Sequence, residues 1–190
     1  MNLPYWEYFL SIEADLITCT RYIEFIEDNF ETYSIEFARI IMAASSEFDT
    51  VAKDLCSNIN PAQKPKNINE YYGIITTKFS RFTSIEVQIP RYSISLKPWI
   101  DWSSTKSPDW WSKGYNKIKH DRTNNFSKAC LLNALLSSTG LLAGILYYYK
   151  AAYTTYPKID AFNAPKLFSL KDSSPMPIMG GGIYWDYNLP

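Results

Sequence analysis

The sequence predicts a mainly α fold: an up-and-down bundle of about five helices with a small β-hairpin insertion and an irregular C-terminal tail. Three observations predict it. Apolar residues in the first sixty positions recur every three or four residues. The stretch from Ala129 to Tyr149 runs 21 residues without a charge, between Lys128 and Lys150. Around 85–96 the pattern switches to alternation. With 190 residues, 46% hydrophobic and 20% charged, the chain has the composition of one ordinary globular domain. The bundle is assigned to 1–152, with 153–190 as a tail packed on the same domain.

The first helix is expected over 5–28, where Trp6, Phe9, Leu10, Leu16, Ile17, Thr20 and Ile23 share one stripe. Glu13 falls on that stripe, so it sits at its margin or bonds to something inside. A second helix, about 34–57, carries Phe37, Ile41, Ala44, Phe48, Val51 and Leu55 on one face. Glu36 with Arg39, and Asp49 with Lys53, are acid-first pairs that suit a solvated opposite face. Asn58 to Lys66 reads as a loop by its prolines, and a third helix follows at about 68–82. Ile85, Val87, Ile89 and Tyr92, Ile94, Leu96 then alternate, and pairing Ile89 with Tyr92 across Pro90-Arg91 puts all six on one face. Pro90 cannot take the positive φ of the usual two-residue turn, so another turn type or a kink is required.

Ser107 as cap and Pro108 at the first helical position start a helix of about 108–121. The chain restarts near Thr123 to Asn125 and enters a helix running to about Ala152. The tail holds five of the 11 prolines and Gly180-Gly181-Gly182. Short strands are expected in it near Lys166–Leu170 and Ile183–Tyr187, with a flexible turn at the glycines.

The 129–149 stretch has the length of a membrane span, and Gly140-x3-Gly144 suits close helix packing in lipid. Asn133, Ser137, Ser138 and Thr139 interrupt it, so it reads as a central bundle helix and no membrane association is expected. The N-terminus lacks the basic n-region of a secretory signal. Cys19, Cys56 and Cys130 are odd in number and widely spaced, as for reduced, buried thiols in a cytoplasmic protein. One histidine and scattered cysteines give no zinc spacing, and no cofactor motif is present. Glu24, Glu27, Asp28 and Glu31 cluster as a solvated acidic corner.

Net charge is zero but lopsided: residues 1–60 hold 11 acids and 3 bases, whereas 61–128 hold 12 bases and 5 acids. Either the acidic helices pack beside the basic middle, or a basic face stands open to phosphate.

That basic middle contains the only histidine. In Trp110-Trp111-Ser112-Lys113-Gly114-Tyr115-Asn116-Lys117-Ile118-Lys119-His120-Asp121-Arg122, Lys113, Asn116 and His120 share a helical face. Histidine titrates near neutrality and can move a proton during phosphodiester cleavage, while flanking cations hold the phosphate. The competing reading is structural: a histidine at a helix end, bonded to Asp121 and favoured by the helix dipole.

Tyr115-Asn116-x3-His120, followed by the helix FSKACLLNALLSSTGLLAGILYY, resembles the C-terminal half of HEPN domains, helical-bundle proteins of bacterial toxin–antitoxin and phage-defence systems. The resemblance covers about residues 5–152, with the hairpin as an insertion. It implies a metal-independent endoribonuclease acting on RNA as a homodimer with two facing motifs, in the cytoplasm, with a protein partner such as an antitoxin and no cofactor. His120 is then the catalytic acid–base and Asn116 orients. Lys113, Tyr115, Lys119 and Arg122 are the expected substrate-binding residues. The sequence departs from the family's Arg-x4–6-His pattern, because Tyr115 stands five residues before His120 and Lys113 seven. A catalytically inactive HEPN-like dimerisation module is the alternative. A third reading makes Trp99, Trp102, Trp110 and Trp111 the wall of a small-molecule pocket.

Overall fold

The structure, a computed structural model, describes residues 3–153, 159–160, 163–171, 173–178, 182–187 and 189. Its described residues form the mainly α bundle that the periodicity predicts, with five α-helices: α1 (Trp6–Cys19), α2 (Ile35–Ile59), α3 (Ile68–Lys78), α4 (Asn116–Asp121) and α5 (Leu131–Ala152).

The first helix stops at Cys19 rather than near 28. Extending it would stack Glu24, Glu27 and Asp28 against the negative end of the helix, with no basic residue in the last turn to offset them. The chain instead folds back through Thr20, whose hydroxyl donates to the Ile17 carbonyl (2.7 Å). This lets Phe25 bury fully and meet the Tyr92 ring at 5.3 Å. The Ser34 side chain caps α2 by accepting from the Phe37 amide. Asn67 caps α3 in the same way, and Glu70 reaches back to the Lys66 amide (2.8 Å).

At the centre α5 lies along α2. Its two glycines are explained by aromatic rings rather than by backbone contact: a Cβ at Gly144 would come within 2.8 Å of the Phe48 ring. One at Gly140 would meet Trp110 at 3.0 Å and Trp99 at 3.1 Å. The polar residues within α5 satisfy themselves. Ser137 and Ser138 donate to the Ala134 carbonyl and Thr139 to that of Leu135, so all three can be buried. Leu131–Ala152 is the one helix among the described residues long and apolar enough to cross a membrane, and 78% of its most apolar window is buried within the protein. It is the core helix of the bundle.

The hairpin is real, with a register two residues away from the predicted one. Strands β1 (Val87–Ile89) and β2 (Ile94–Leu96) pair Ile89 with Ile94 and Val87 with Leu96. Pro90–Tyr92 form a 3-10 turn, and Ser93 takes the left-handed conformation (φ 55°) that closes it. A shift of two preserves the side-chain parity, so Val87, Ile89, Ile94 and Leu96 keep one buried face. Tyr92 leaves the ladder.

The tail adds β3 (Ile159–Asp160), β4 (Ser169–Leu170), β5 (Ser173–Ile178) and β6 (Gly182–Tyr187). Strand β4 extends the hairpin by pairing with β1, and β3, β6 and β5 form a second sheet in that order. Strand β5 carries Pro175 and Pro177, which hid it from sequence pattern; it is an edge strand, where missing amides are tolerated. The glycine turn lies largely outside the described residues, while Gly182 opens β6. Residue Glu13, buried at 2% exposure, fastens this tail. Its carboxylate accepts from the amides of Lys166 (2.9 Å), Leu167 (2.8 Å) and Phe168 (3.1 Å). The Trp6 indole donates to the Asn163 carbonyl at 2.8 Å.

Candidate functional site

The segment around His120 begins unlike an ordinary helix. Residues Trp110–Tyr115 form a π-helical turn before α4, with the Asn116 amide donating to the Trp111 carbonyl. The widened turn sends Trp110, Trp111, Gly114 and Tyr115 all inward. Trp110 is pinned by its indole N–H to the Pro98 carbonyl (2.6 Å). Trp99 and Trp102 bury beside it, with Trp99 4.3 Å from the Phe48 ring, so all four tryptophans are core rather than pocket wall. The expected Ser107 cap is not used: the Pro108 carbonyl receives the first amides, of Trp111 and Ser112.

This turn changes the phase of the predicted site. Lys113 is displaced toward Asp109, with which it pairs at 2.8 Å, and Lys106 joins the same carboxylate at 3.5 Å. These two lysines hold the Asp109 carboxyl below its ordinary value, the Lys113 hydrogen bond contributing most. The Tyr115 ring turns into the core, 5.0 Å from Trp111, and presents a face to Lys119, whose ammonium stands 5.4 Å above it. Asn116 is half-buried and does not line the groove that His120 lines.

Lys119, His120 and Arg122 do come together, all exposed, at the rim of a groove of about 380 Å³ between α4 and α2. Its floor is Ala38, Met42 and Ile118, and its opposite rim carries Arg39. Sequence reading missed Arg39 as a site residue. It read as half of a solvated i,i+3 pair, and the pair with Glu36 does form. Both partners are more than half exposed, so that pairing is worth little and is readily exchanged for another anion.

Asp121 does not hold His120. Its carboxylate accepts from the Asn124 side chain at 3.0 and 3.1 Å, shaping the turn after α4. Among the described residues, no ion pair joins the acidic first sixty residues to the basic 61–128 segment. The charge asymmetry is therefore not cancelled by pairing between these two segments, and Lys117, Lys119 and Arg122 face solvent without a carboxylate partner among the described residues. This rim suits an anion: arginine supplies a planar fork matched to phosphate oxygens, and the His120 imidazole stands within the same groove.

A larger groove, of about 530 Å³, lies where the α2–α3 loop meets α3. It offers Lys64 and Glu70 as charges, and Glu70 is already committed to capping α3. No three His, Cys, Asp or Glu side chains converge as a metal-ligand set among the described residues, the acidic corner included. Cys19, Cys56 and Cys130 are buried and unpaired by disulfides. No family model matches the chain, and comparison with curated proteins and solved structures yields no significant match, so the site is characterised by its own side chains.

Proposed function

We propose that this chain is a HEPN-like RNA-binding protein whose His120 groove holds a phosphodiester, and that as a homodimer it is a metal-independent endoribonuclease. The observation that carries the reading is the convergence of Arg39, Lys119, His120 and Arg122 on one groove from two different helices. The arginine absent from the Tyr115-Asn116-x3-His120 motif has two spatial substitutes, Arg39 from α2 and Arg122 just past α4. In the reaction the RNA 2′-oxygen bonds to phosphorus as the P–O5′ bond breaks. One imidazole takes the 2′ proton, and the other, from the second copy, protonates the leaving oxygen. The cations neutralise charge accumulating on the phosphoryl oxygens. The setting that goes with this reading is a bacterial cytoplasm, in a defence or toxin–antitoxin system with an antitoxin-type partner.

A second reading is favoured by one observation: no hydrogen bond or ion pair orients His120 within the described residues of a single chain. A catalytic base is ordinarily held by a neighbour. Either the second copy supplies that neighbour, or the groove only binds, and the protein is an inactive HEPN-like interaction module. The deciding experiment compares wild type, His120→Ala and Arg39→Ala in RNA binding, RNA cleavage and sedimentation. Dimeric wild type that cleaves RNA, with cleavage abolished by His120→Ala and binding weakened by Arg39→Ala, is the expected result. Binding without cleavage selects the module. A monomer that neither binds nor cleaves RNA overturns both readings.

A further inference from the structure

The two segments that border the groove at Arg39 and Thr123 also meet outside it. Beyond α4 the chain runs antiparallel to the extended segment that leads into α2: Ser34 donates to the Ala129 carbonyl (3.1 Å), Leu131 donates to that of Thr32 (2.9 Å), and Tyr33 bridges Cys130. This pairing sets Phe126, four residues past Arg122, against Tyr33. Their rings meet edge to face, with centroids 5.5 Å apart and planes at 78°. Tyr33 is 53% exposed and Ile35 beside it 67%, among the most exposed large apolar side chains in the described protein. Phe126 packs against the core, and Tyr33, seated on it, remains exposed. Tyr33 immediately precedes the extended Ser34 cap of α2, and Arg39 lies in the first turns of that helix. Ile35 and Arg39 share one face of α2, one turn apart.

An aromatic face beside a cationic track is the combination that holds unpaired bases: phosphates take the charges and a base stacks on the ring. We propose that Tyr33, braced by Phe126, is a nucleobase-stacking subsite at the α2 end of the groove, so that its ligand is single-stranded and takes one base onto Tyr33 while adjacent phosphates lie on Arg39, Lys119 and Arg122. The inference rests on the phosphate-binding reading above. It adds what that reading lacks, a contact that distinguishes an open strand from a duplex, whose bases are stacked on one another and unavailable.

The test is fluorescence anisotropy with a labelled 2′-O-methyl oligoadenylate, which cannot be cleaved at the 2′ position. The same backbone without bases and a fully paired duplex serve as comparisons. Tyr33→Ala is expected to weaken oligoadenylate binding by about tenfold and to leave the abasic strand unaffected, while Tyr33→Phe binds like wild type. Phe126→Leu falls between. Arg39→Ala weakens both strands. If Arg39→Ala weakens both but Tyr33→Ala changes neither, the stacking subsite is refuted and the phosphate groove stands. Tighter binding of the duplex than of the single strand also refutes the subsite. If wild type binds neither strand, both readings fall. Because Tyr33 is exposed, its substitution leaves the core intact, and an unchanged circular dichroism spectrum verifies that.

Discussion

Replacing Glu13 tests how the tail is held. The carboxylate accepts from three consecutive amides, of Lys166, Leu167 and Phe168. Hydrogen bonds to a charged group contribute about 1.5–3 kcal/mol each, and because burial disfavours the charged form and pushes the Glu13 carboxyl pKa up, the three together contribute at most about 4.5–9 kcal/mol. Burying Leu167, Phe168 and Leu170 adds a similar amount, about 1.5–3 kcal/mol per side chain. Against these stands the cost of ordering the nine residues 163–171, about 1–2 kcal/mol each, or roughly 9–18 kcal/mol. The two sides are comparable with Glu13 in place, and its loss removes up to half of the stabilising side. Glu13→Ala is therefore expected to release the segment rather than unfold the bundle. Glu13→Gln is intermediate: its carbonyl oxygen serves two amides, but its NH2 group confronts a third donor. Hydrogen exchange read by mass spectrometry should show amides 166–168 losing protection in Glu13→Ala while α2 and α5 keep theirs. Unchanged protection at 166–168, with denaturant stability within about 1 kcal/mol of wild type, would refute the argument.

Two glycines in helices should respond oppositely to alanine. Gly144→Ala drives a methyl into the buried Phe48 ring and is expected to destabilise by about 1–3 kcal/mol, whereas Gly73→Ala enters open space and should stabilise by roughly 0.5–1 kcal/mol. Urea titrations of both variants read the two signs directly. Alkaline stability carries another prediction. Burial pushes the Cys56 thiol from 9.0 up to about 12 and the Tyr147 phenol from 10.0 up to about 12. Both groups hold their protons more tightly when folded, so their contribution is complete below pH 9 and is lost as pH rises from 9 to 12. Stability should fall across that window, and thiol labelling of the native protein at pH 8 should be limited by opening of the fold; rapid stoichiometric labelling would contradict the burial.

What was legible in the sequence was whatever depends on local period. The stripe of Phe37, Ile41, Ala44 and Phe48 defines α2 because burial of one face and helical spacing are the same fact. The uncharged run defines α5 because the helix in the middle must be apolar all round. The end of α1 was less legible, since the apolar spacing continues to Ile23 while the acids beyond it oppose helix. The hairpin register missed by two because pattern fixes only parity, and the four-residue Pro90–Ser93 turn satisfies the same parity as a two-residue one. Strand β5 was hidden by prolines whose cost vanishes at a sheet edge.

The candidate site was legible only in part, and the reason is the π turn. Spacing placed Lys113, Asn116 and His120 on one face under an assumption of uniform α geometry. Adjacent bulky residues at 110 and 111, both needing burial, make the helix widen, and every residue before Asn116 then rotates relative to those after it. His120, Lys119 and Arg122 stay together because they lie beyond the disturbance. Lys113 and Tyr115 lie within it and go to Asp109 and to the core.

The charge asymmetry locates the groove better than the motif does. Arg39 is one of three bases in the acidic first third, and it is the one that α2 brings against the basic segment. Two acids flank the groove, Glu36 paired with Arg39 itself and Asp121 with Asn124. Removing the first of these engagements should expose the groove's anion affinity. Glu36→Gln frees the Arg39 guanidinium, and one charge removed about 4–6 Å away favours a bound phosphate, so binding of inorganic phosphate or of an oligonucleotide should tighten severalfold at low salt and converge on wild type as salt screens the pair. Glu24→Gln removes the same charge from the acidic corner, away from the groove, and should leave binding nearly unchanged. Equal tightening by both variants would mean that net charge, and not the groove, attracts the anion.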